Sequence, residues 1–323
     1  MATSANASVS SKPVIIDDKS PHCIPFILNR LKIHQAQNAD KPFFIGLNGV
    51  QGAGKTTLVS ALQETLSQQE GLQTLVCSID DLYLKHEDQV ALAQEHAMNP
   101  LVQHRGEPGR YTLFQIQLCA NIYGGTHDML LANEFFSALE AGKETKIPQY
   151  DKSQFSGQGD RVPTSQWTSV NGPSQPKTQV IIFEGWSVGF RALSDDEVKT
   201  KAAQPGTVTL HKHRLEDLLF VNDKLRGYEV INKHFDAFIH IDAEDTGFVY
   251  DWRQQQEAAL RRERGTGMTE EQVTKFVDGY YPAYELFTDA LRAGIFKGQE
   301  NAAGRQLRLI VGKDRKVKEV ILI

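Results

Sequence analysis

Residues 49–56 read Gly-Val-Gln-Gly-Ala-Gly-Lys-Thr, the complete G-x-x-x-x-G-K-S/T pattern of a phosphate-binding loop. The glycines of such a loop let consecutive backbone N–H groups turn towards an anion. Lys55 reaches the outer phosphates, and the hydroxyl of Thr56 is a ligand for Mg²⁺. The pattern therefore predicts a site for a nucleoside triphosphate with Mg²⁺. The expected contacts are Gly49, Val50, Gln51, Gly52, Ala53, Gly54, Lys55, Thr56 and Thr57.

Two acidic residues follow apolar runs that are typical of buried strands. Glu184 ends the run Val-Ile-Ile-Phe, which resembles a Walker B strand, and would hold Mg²⁺ directly or through water. The alternative is a carboxylate that caps a turn. Asp80 follows the run 74–79, and the carboxyl ends of parallel strands meet at one edge of a sheet. Both carboxylates are therefore expected beside the phosphate-binding loop.

Asp80 is our candidate for the general base that takes a proton from an acceptor hydroxyl. Its neighbour Asp81 is the rival. A structural interpretation makes Asp81 the N-cap of the segment 82–85. Asp80 would then take part in the reaction, and Asp81 would stabilise the local backbone.

Phosphoryl transfer needs cations that stabilise the negative charge on the transferred group. The helical pattern 252–264 carries four arginines. Arg253 is the candidate catalytic cation among them. Gly265 and Gly267 end this helix, and Thr269 with Gln272 forms a capping box for the next one, so the segment 250–282 reads as a closing lid. Acidic residues nearly neutralise the helix, which leaves an ordinary solvated face as the alternative.

The polar segment 147–161 contains Tyr150, Lys152 and Arg161 around two glycines. Both cations suit a substrate that bears a carboxylate. The segment lies within residues 86–178, which are too long for a simple crossover and are therefore expected to form an inserted, substrate-facing region.

Apolar runs alternate with helical patterns along the chain, as expected for an α/β fold with a mostly parallel, doubly wound sheet between two helical layers. Strands are predicted at 43–47, 74–79, 180–183, 237–241, 307–311 and 317–323, and a short amphipathic helix at 24–37. Residues 1–20 are rich in Ser and Ala and are predicted to be a flexible tail. Residues 21–323 are predicted to form a single domain.

The composition favours a small, soluble substrate. The chain has 323 residues, 40% of them hydrophobic, and a net charge of −5 that argues against nucleic acid or a membrane as partner. Three cysteines without metal-type spacing fit a reducing compartment. We expect a cytoplasmic location, with the nucleus as a further compartment. The oligomeric state does not follow from the sequence.

Six motifs together resemble the D-glycerate 3-kinase family, including its fungal members, and more distantly the uridine kinase, phosphoribulokinase and bacterial pantothenate kinase superfamily of P-loop kinases. The motifs occupy residues 46–57, 78–84, 99–109, 148–153, 183–190 and 250–257. The resemblance implies that Asp80 is the base and that the phosphate-loop and Walker B strands are neighbours. It also implies substrate contacts from segments 105–109 and 150–161. The candidate substrate contacts are Asp81, Tyr83, Arg105, Tyr150, Lys152 and Arg161.

One segment departs from the family pattern. In relatives the Arg-Gly-x-Pro-Gly stretch leads directly into Thr-His-Asp, whereas residues 110–125 separate the two here. A true surface insertion explains it, and so does a retained intron or another gene-model error; sequencing the transcript distinguishes them. The departure weakens any role carried over to Thr126, His127 and Asp128.

The expected function is transfer of the γ-phosphoryl group of ATP to a hydroxyl of D-glycerate or a similar hydroxy acid. One alternative keeps the machinery but uses another small acceptor, such as a nucleoside or pantothenate, because acceptor identity depends on a few pocket contacts. Another is an ATP-binding regulatory protein, which would have no need of a base.

Overall fold

The computed structural model describes residues 17–38, 40–105, 126–265 and 267–323. Most of the predicted tail and the whole segment 110–125 lie outside these ranges, so the predictions for both stay predictions. So does the assignment of residues 21–323 to one domain.

A six-stranded sheet forms the centre of the fold. The strands of the structure are β1 Phe43–Gly49, β2 Thr74–Ser78, β3 Thr145–Lys146, β4 Tyr150–Asp151, β5 Asp160–Arg161, β6 Ser169–Val170, β7 Val180–Gly185, β8 Ala237–Ala243, β9 Gln306–Val311 and β10 Val317–Leu322. The order in the central sheet is β10-β9-β8-β1-β7-β2. β1 pairs in parallel with both β7 and β8, and among the described strands of this sheet β10 alone runs antiparallel to its neighbour. The predicted α/β class with a mostly parallel sheet is confirmed. The phosphate-loop and Walker B strands are neighbours, as the resemblance implied.

Helices surround this sheet. They are α1 Ser20–Gln37, α2 Lys55–Glu64, α3 His86–Glu95, α4 Met129–Glu140, α5 Gln154–Gly157, α6 Asp195–Ala202, α7 Leu215–Leu225, α8 Glu229–Asn232, α9 Phe248–Arg264, α10 Glu270–Asp278 and α11 Tyr281–Arg292. None of these helices combines the length and apolarity needed to cross a membrane, as far as the described residues go.

The central strands form because their sequences are apolar on both faces. Every residue of β1 and of β8 is buried, which matches the near-continuous apolar runs expected between two layers of helices. Gly46 of β1 leaves room for an aromatic ring, since a Cβ there would lie 2.6 Å from Phe238. This rigid sheet fixes the positions of the loops that follow its strands.

Helix α1 is longer than the sequence predicted. Its buried face includes Cys23, Ile27 and Leu31, whereas Ile33 is 39% exposed. α1 packs against α2 and β8.

Two small antiparallel pairs lie within the predicted substrate-facing region. β4 pairs with β5, and β3 pairs with β6. The first pair places Tyr150 opposite Arg161 and carries the chain into Lys152.

Candidate active site

The phosphate-binding loop connects β1 to α2 and requires glycine at two positions. Gly52 has φ +83° and Gly54 has φ +96°, a backbone conformation that residues with a side chain rarely adopt. A Cβ on Gly52 would also lie 2.6 Å from Cβ of Trp252. The loop therefore leaves its backbone open to an anion at the positive end of α2.

Lys55 begins α2 and turns back over the loop. Its Nζ donates hydrogen bonds of 2.7 Å to the carbonyl of Gly49 and 3.4 Å to that of Val50. Burial lowers the pKa of Lys55, and the negative charges of Glu184 and Asp80 oppose that shift. The lysine and the two acidic side chains from separate strands therefore act within one site.

A cavity of about 1010 Å³ opens at the carboxyl ends of β1, β2 and β7. This volume is at the upper end of the range usual for ligand pockets and suits a nucleotide with a small acceptor. Of the residues predicted from the sequence, Gln51, Gly52, Lys55, Thr56, Asp80, Asp81, Tyr83, Arg105, Tyr150, Lys152, Glu184 and Arg253 line it. Arg161 does not.

Asp80 lies in a short 3₁₀ turn, Ile79–Leu82, directly after β2. Its Oδ1 accepts a hydrogen bond of 2.9 Å from the hydroxyl of Tyr83, and its Oδ2 accepts one of 2.5 Å from Nζ of Lys152. Burial on its own would raise the pKa of Asp80, but the charge and hydrogen bond of Lys152, with the Tyr83 hydroxyl, bring it below its ordinary value. Asp80 is therefore held as an ionised carboxylate.

Asp81 is not an N-cap, which corrects the structural interpretation made from the sequence. Ser78 caps the turn by accepting a hydrogen bond from the N–H of Asp80. Asp81 accepts a hydrogen bond of 3.2 Å from the N–H of Tyr150, and burial raises its pKa to about 6. The turn thus presents two adjacent carboxyl groups whose surroundings shift their pKa values in opposite directions.

Tyr83 is buried between the turn and residues 126–128. Its ring stacks on that of His127 with 4.5 Å between ring centroids, and the two residues form an isolated antiparallel bridge. His127 contacts the hydroxyl of Tyr228 through Nδ1 at 2.6 Å, and burial lowers its pKa to about 4. A neutral, fully buried His127 therefore packs against Tyr83, whose hydroxyl donates a hydrogen bond to Asp80. In the sequence, residues 110–125 interrupt the family motif and weakened the role expected of His127. Its contact with Tyr83 arises because the fold brings the 3₁₀ turn and residues 126–128 together.

Arg161 is not among the residues that line the cavity, although the sequence predicted a contact with substrate. It forms an ion pair of 3.0 Å with Asp128 and donates a hydrogen bond of 2.9 Å to the carbonyl of Tyr83. Asp128 in turn caps α4 by accepting from the N–H of Leu131. The sequence showed a cation in a polar loop, but its partner lies on a distant segment. Arg161 holds the backbone around Tyr83 in place.

The segment predicted to be a lid contains α9 and α10, and its closure stays a prediction. The capping box of Thr269 and Gln272 is present. Arg253 lines the cavity, packs over the ring of Phe276 at 4.8 Å and pairs with the buried Glu257 at 2.5 Å. Arg261, by contrast, donates to the carbonyl of Met268 and so secures the connection between the two helices.

The turn between β9 and β10 contributes a contact that the sequence did not reveal. Nε of Arg315 donates a hydrogen bond of 2.7 Å to the carbonyl of Gly52, and its guanidinium lies 5.3 Å from the ring of Trp252. Nζ of Lys19 in turn donates to the carbonyl of Arg315 at 2.7 Å. The phosphate-binding loop is therefore held from behind by residues close to both ends of the described chain.

The residues expected to bind Mg²⁺ offer hydroxyl and carboxylate oxygens, which are suitable ligands for this ion. Thr56 is exposed at the start of α2, and Glu184 is partly exposed near the end of β7; both residues line the cavity. Mg²⁺ is usually held by one or two such protein oxygens together with phosphate and water. The residues present fit this ion.

Comparison with known proteins places this arrangement in a family. Residues 23–167 match the KAP family P-loop domain. The chain is 38% identical over 260 residues to "Uncharacterized kinase mug58" of Schizosaccharomyces pombe, covering 80% of this chain and 85% of that protein. The solved structure of D-glycerate 3-kinase from Cryptococcus neoformans is 32% identical, with a TM-score of 0.81, over 95% of this chain and 100% of that one. The chain belongs to the D-glycerate 3-kinase family. It is therefore a P-loop kinase.

A further relative in the D-glycerate 3-kinase family is the chloroplastic D-glycerate 3-kinase of Arabidopsis thaliana, 34% identical over 274 residues. That match covers 82% of this chain and 53% of the plant protein, so the chain spans about half the length of that relative.

Proposed function

We propose that this kinase transfers the γ-phosphoryl group of ATP to a hydroxyl of D-glycerate or a similar hydroxy acid. The observation that carries the proposal is the position of Asp80 in the same cavity as Lys55, with the cation of Lys152 on its carboxylate. Two relatives named D-glycerate 3-kinase support the choice of acceptor.

The backbone of the phosphate-binding loop and Lys55 would bind the β- and γ-phosphates. Mg²⁺, when held by Thr56 and Glu184, supplies positive charge that offsets the charge on the transferred group. Asp80 accepts the proton of the acceptor hydroxyl as its oxygen attacks the γ-phosphorus. ADP leaves from the opposite side, and the proton later passes from Asp80 to solvent. Arg253 would stabilise the charge on the γ-phosphoryl oxygens when α9 and α10 close over the cavity.

The charge of the cavity favours an anionic acceptor over a neutral nucleoside. Besides Lys55 and Arg253, the cationic side chains of Arg105, Lys152 and Lys275 line it. Asp80, Asp81 and Glu184 are the acidic residues of its lining, and each has a local partner or a proposed metal. Lys152 is paired with Asp80 and Arg253 with Glu257, so Arg105 and Lys275 are the lining cations that would meet a carboxylate.

The test is an acceptor screen with purified protein. ADP release is measured with ATP and Mg²⁺ in the presence of D-glycerate, L-glycerate, glycerol, uridine or pantothenate. We expect turnover that depends on D-glycerate or a related hydroxy acid. Turnover with uridine or pantothenate alone would assign a different acceptor, and no acceptor-dependent turnover would overturn the proposal.

A further inference from the structure

Both oxygens of the proposed base are occupied by hydrogen-bond donors. Tyr83 donates to Oδ1 of Asp80 at 2.9 Å, and the ammonium of Lys152 donates to Oδ2 at 2.5 Å. Each oxygen could still accept a second hydrogen bond, but the ammonium on Oδ2 stabilises the ionised carboxylate and so makes it a weak base towards an acceptor hydroxyl.

The two donors differ in their freedom to move. Tyr83 is 4% exposed and is enclosed by the rings of His127 and Tyr150. The side chain of Lys152 is 54% exposed and extends from the end of β4 by four flexible methylene groups. Tyr83 is therefore a fixed support, whereas Lys152 is free to leave Asp80 if another anion competes for it.

We propose that Lys152 masks Asp80 while the acceptor site is empty, and that the carboxylate of an anionic acceptor unmasks it by drawing the ammonium away. This inference rests on the proposed function and assigns Lys152 a second role beyond that of a substrate contact. Once Oδ2 is free, it accepts the proton of the acceptor hydroxyl while the new O–P bond forms and the bond to ADP breaks. The acceptor therefore activates its own base.

Masking of Asp80 by Lys152 selects against water and neutral alcohols as acceptors. A water molecule or glycerol brings a hydroxyl but no negative charge, so it cannot compete with Asp80 for the ammonium. In this way a P-loop kinase with an open cavity limits wasteful hydrolysis of ATP. A lysine that only bound the acceptor carboxylate would have no effect on reactions that lack a carboxylate.

The experiment compares Lys152→Met, Lys152→Arg and the wild type. ATP hydrolysis without acceptor, phosphorylation of glycerol and phosphorylation of D-glycerate are measured for each, and Lys143→Met, an exposed lysine outside the cavity, is the matched control. We expect Lys152→Met to raise hydrolysis and glycerol phosphorylation about tenfold, a fraction of the usual contribution of a general base. The KM for D-glycerate should rise in the same variant, and Lys152→Arg should keep both reactions low.

A titration of the Asp80 carboxyl by ¹³C NMR gives a readout that is independent of any acceptor. We expect its pKa to rise in Lys152→Met and to change little in Lys152→Arg or Lys143→Met. Hydrolysis that is unchanged or lower in Lys152→Met would overturn the masking role, even if the KM for D-glycerate rises. If the wild type phosphorylates no hydroxy acid, the proposed function fails, while the hydrolysis and NMR results still decide whether Lys152 masks Asp80.

Discussion

The hydroxyl of Tyr83 donates a hydrogen bond of 2.9 Å to Oδ1 of Asp80, three residues earlier in the chain. This bond stabilises the ionised form of the carboxylate. In Tyr83→Phe we therefore expect the pKa of Asp80 to rise by about one unit, because a hydrogen bond to a charged group contributes roughly 1.5–3 kcal/mol. The acid limb of the pH profile of kcat/KM should move to higher pH. Tyr250→Phe, which removes a bond to Asp278 outside the cavity, is the control and should leave that limb in place.

Replacement of the proposed base separates binding from chemistry. Asp80→Asn keeps the size of the side chain but cannot accept the proton, so we expect kcat to fall by about 10² to 10⁴ while the Kd for ATP stays within a few-fold. Initial rates and equilibrium binding of ATP provide the measurement. Asp196→Asn, on the surface helix α6, should behave as the wild type. A rate close to wild type in Asp80→Asn would contradict the assignment of the base.

Gly52 is required for both space and conformation. In Gly52→Ala the new Cβ would meet Trp252 at 2.6 Å, at a residue with φ +83°. We expect the Kd for ATP to rise at least about tenfold, since the backbone N–H groups of the loop would no longer converge on the phosphates.

Gly206→Ala is the matched control for Gly52→Ala. Gly206 has φ +84°, but nothing lies within 4 Å of its Cβ position. This variant should lose about 1 kcal/mol of stability and bind ATP normally. Equal loss of ATP binding in both variants would show that a general loss of stability, rather than a change in the phosphate-binding loop, is responsible.

Arg161 provides a test between a structural role and a substrate contact. Its side chain is 11% exposed and pairs with Asp128, which is 19% exposed. We expect Arg161→Gln to lower the free energy of unfolding by about 2–4 kcal/mol, because it leaves a largely buried carboxylate without its cation. Below the melting temperature the KM for the acceptor should stay near the wild-type value. A large rise in KM at unchanged stability would restore the predicted substrate contact. Arg262→Gln, an exposed position on α9, is the control for stability.

Two buried histidines make stability depend on pH. Burial lowers the pKa of His127 and of His240 from 6.5 to about 4, so the unfolded chain binds protons that the folded chain does not between these pH values. Above pH 6.5 the two histidines do not lower the free energy of unfolding. As the pH falls from 6.5 towards 4, protonation of the unfolded chain lowers the free energy of unfolding by at most about 1.4 kcal/mol per pH unit for each histidine. Asp81, with a pKa raised to about 6, offsets part of this loss.

Urea denaturation at several pH values checks the expectation. His240 lies in β8 and is 1% exposed. His240→Gln should flatten the decline in stability between pH 6.5 and pH 4, whereas the exposed His22→Gln should give the wild-type slope. A slope in His240→Gln that equals the wild-type slope would contradict the assignment.

Much of this molecule could be predicted because its signals are local in the sequence. The phosphate-binding loop, the apolar runs that lead into Asp80 and Glu184, and the capping box at Thr269 each occupy a short, continuous segment. Parallel strands bring their carboxyl ends to one edge, so the convergence of Lys55 with two acidic residues follows from topology.

The contacts that the sequence did not reveal join distant segments. Lys152 meets Asp80 across 72 positions, and Arg315 meets Gly52 across 263. Sequence patterns identify which residue types suit a substrate. They do not show whether a particular cation already forms an ion pair within the protein, as Arg161 does with Asp128. The N-cap interpretation of Asp81 failed because Ser78, two residues before Asp80, already caps the turn.

The hydrogen bond from Arg315 to the carbonyl of Gly52 has a consequence for how this kinase tolerates changes at its C-terminal end. A fusion, truncation or natural sequence change in the turn after β9 would alter the shape of the nucleotide cradle, although the turn contributes no part of the reaction. A change in this turn should therefore weaken ATP binding before it lowers the melting temperature.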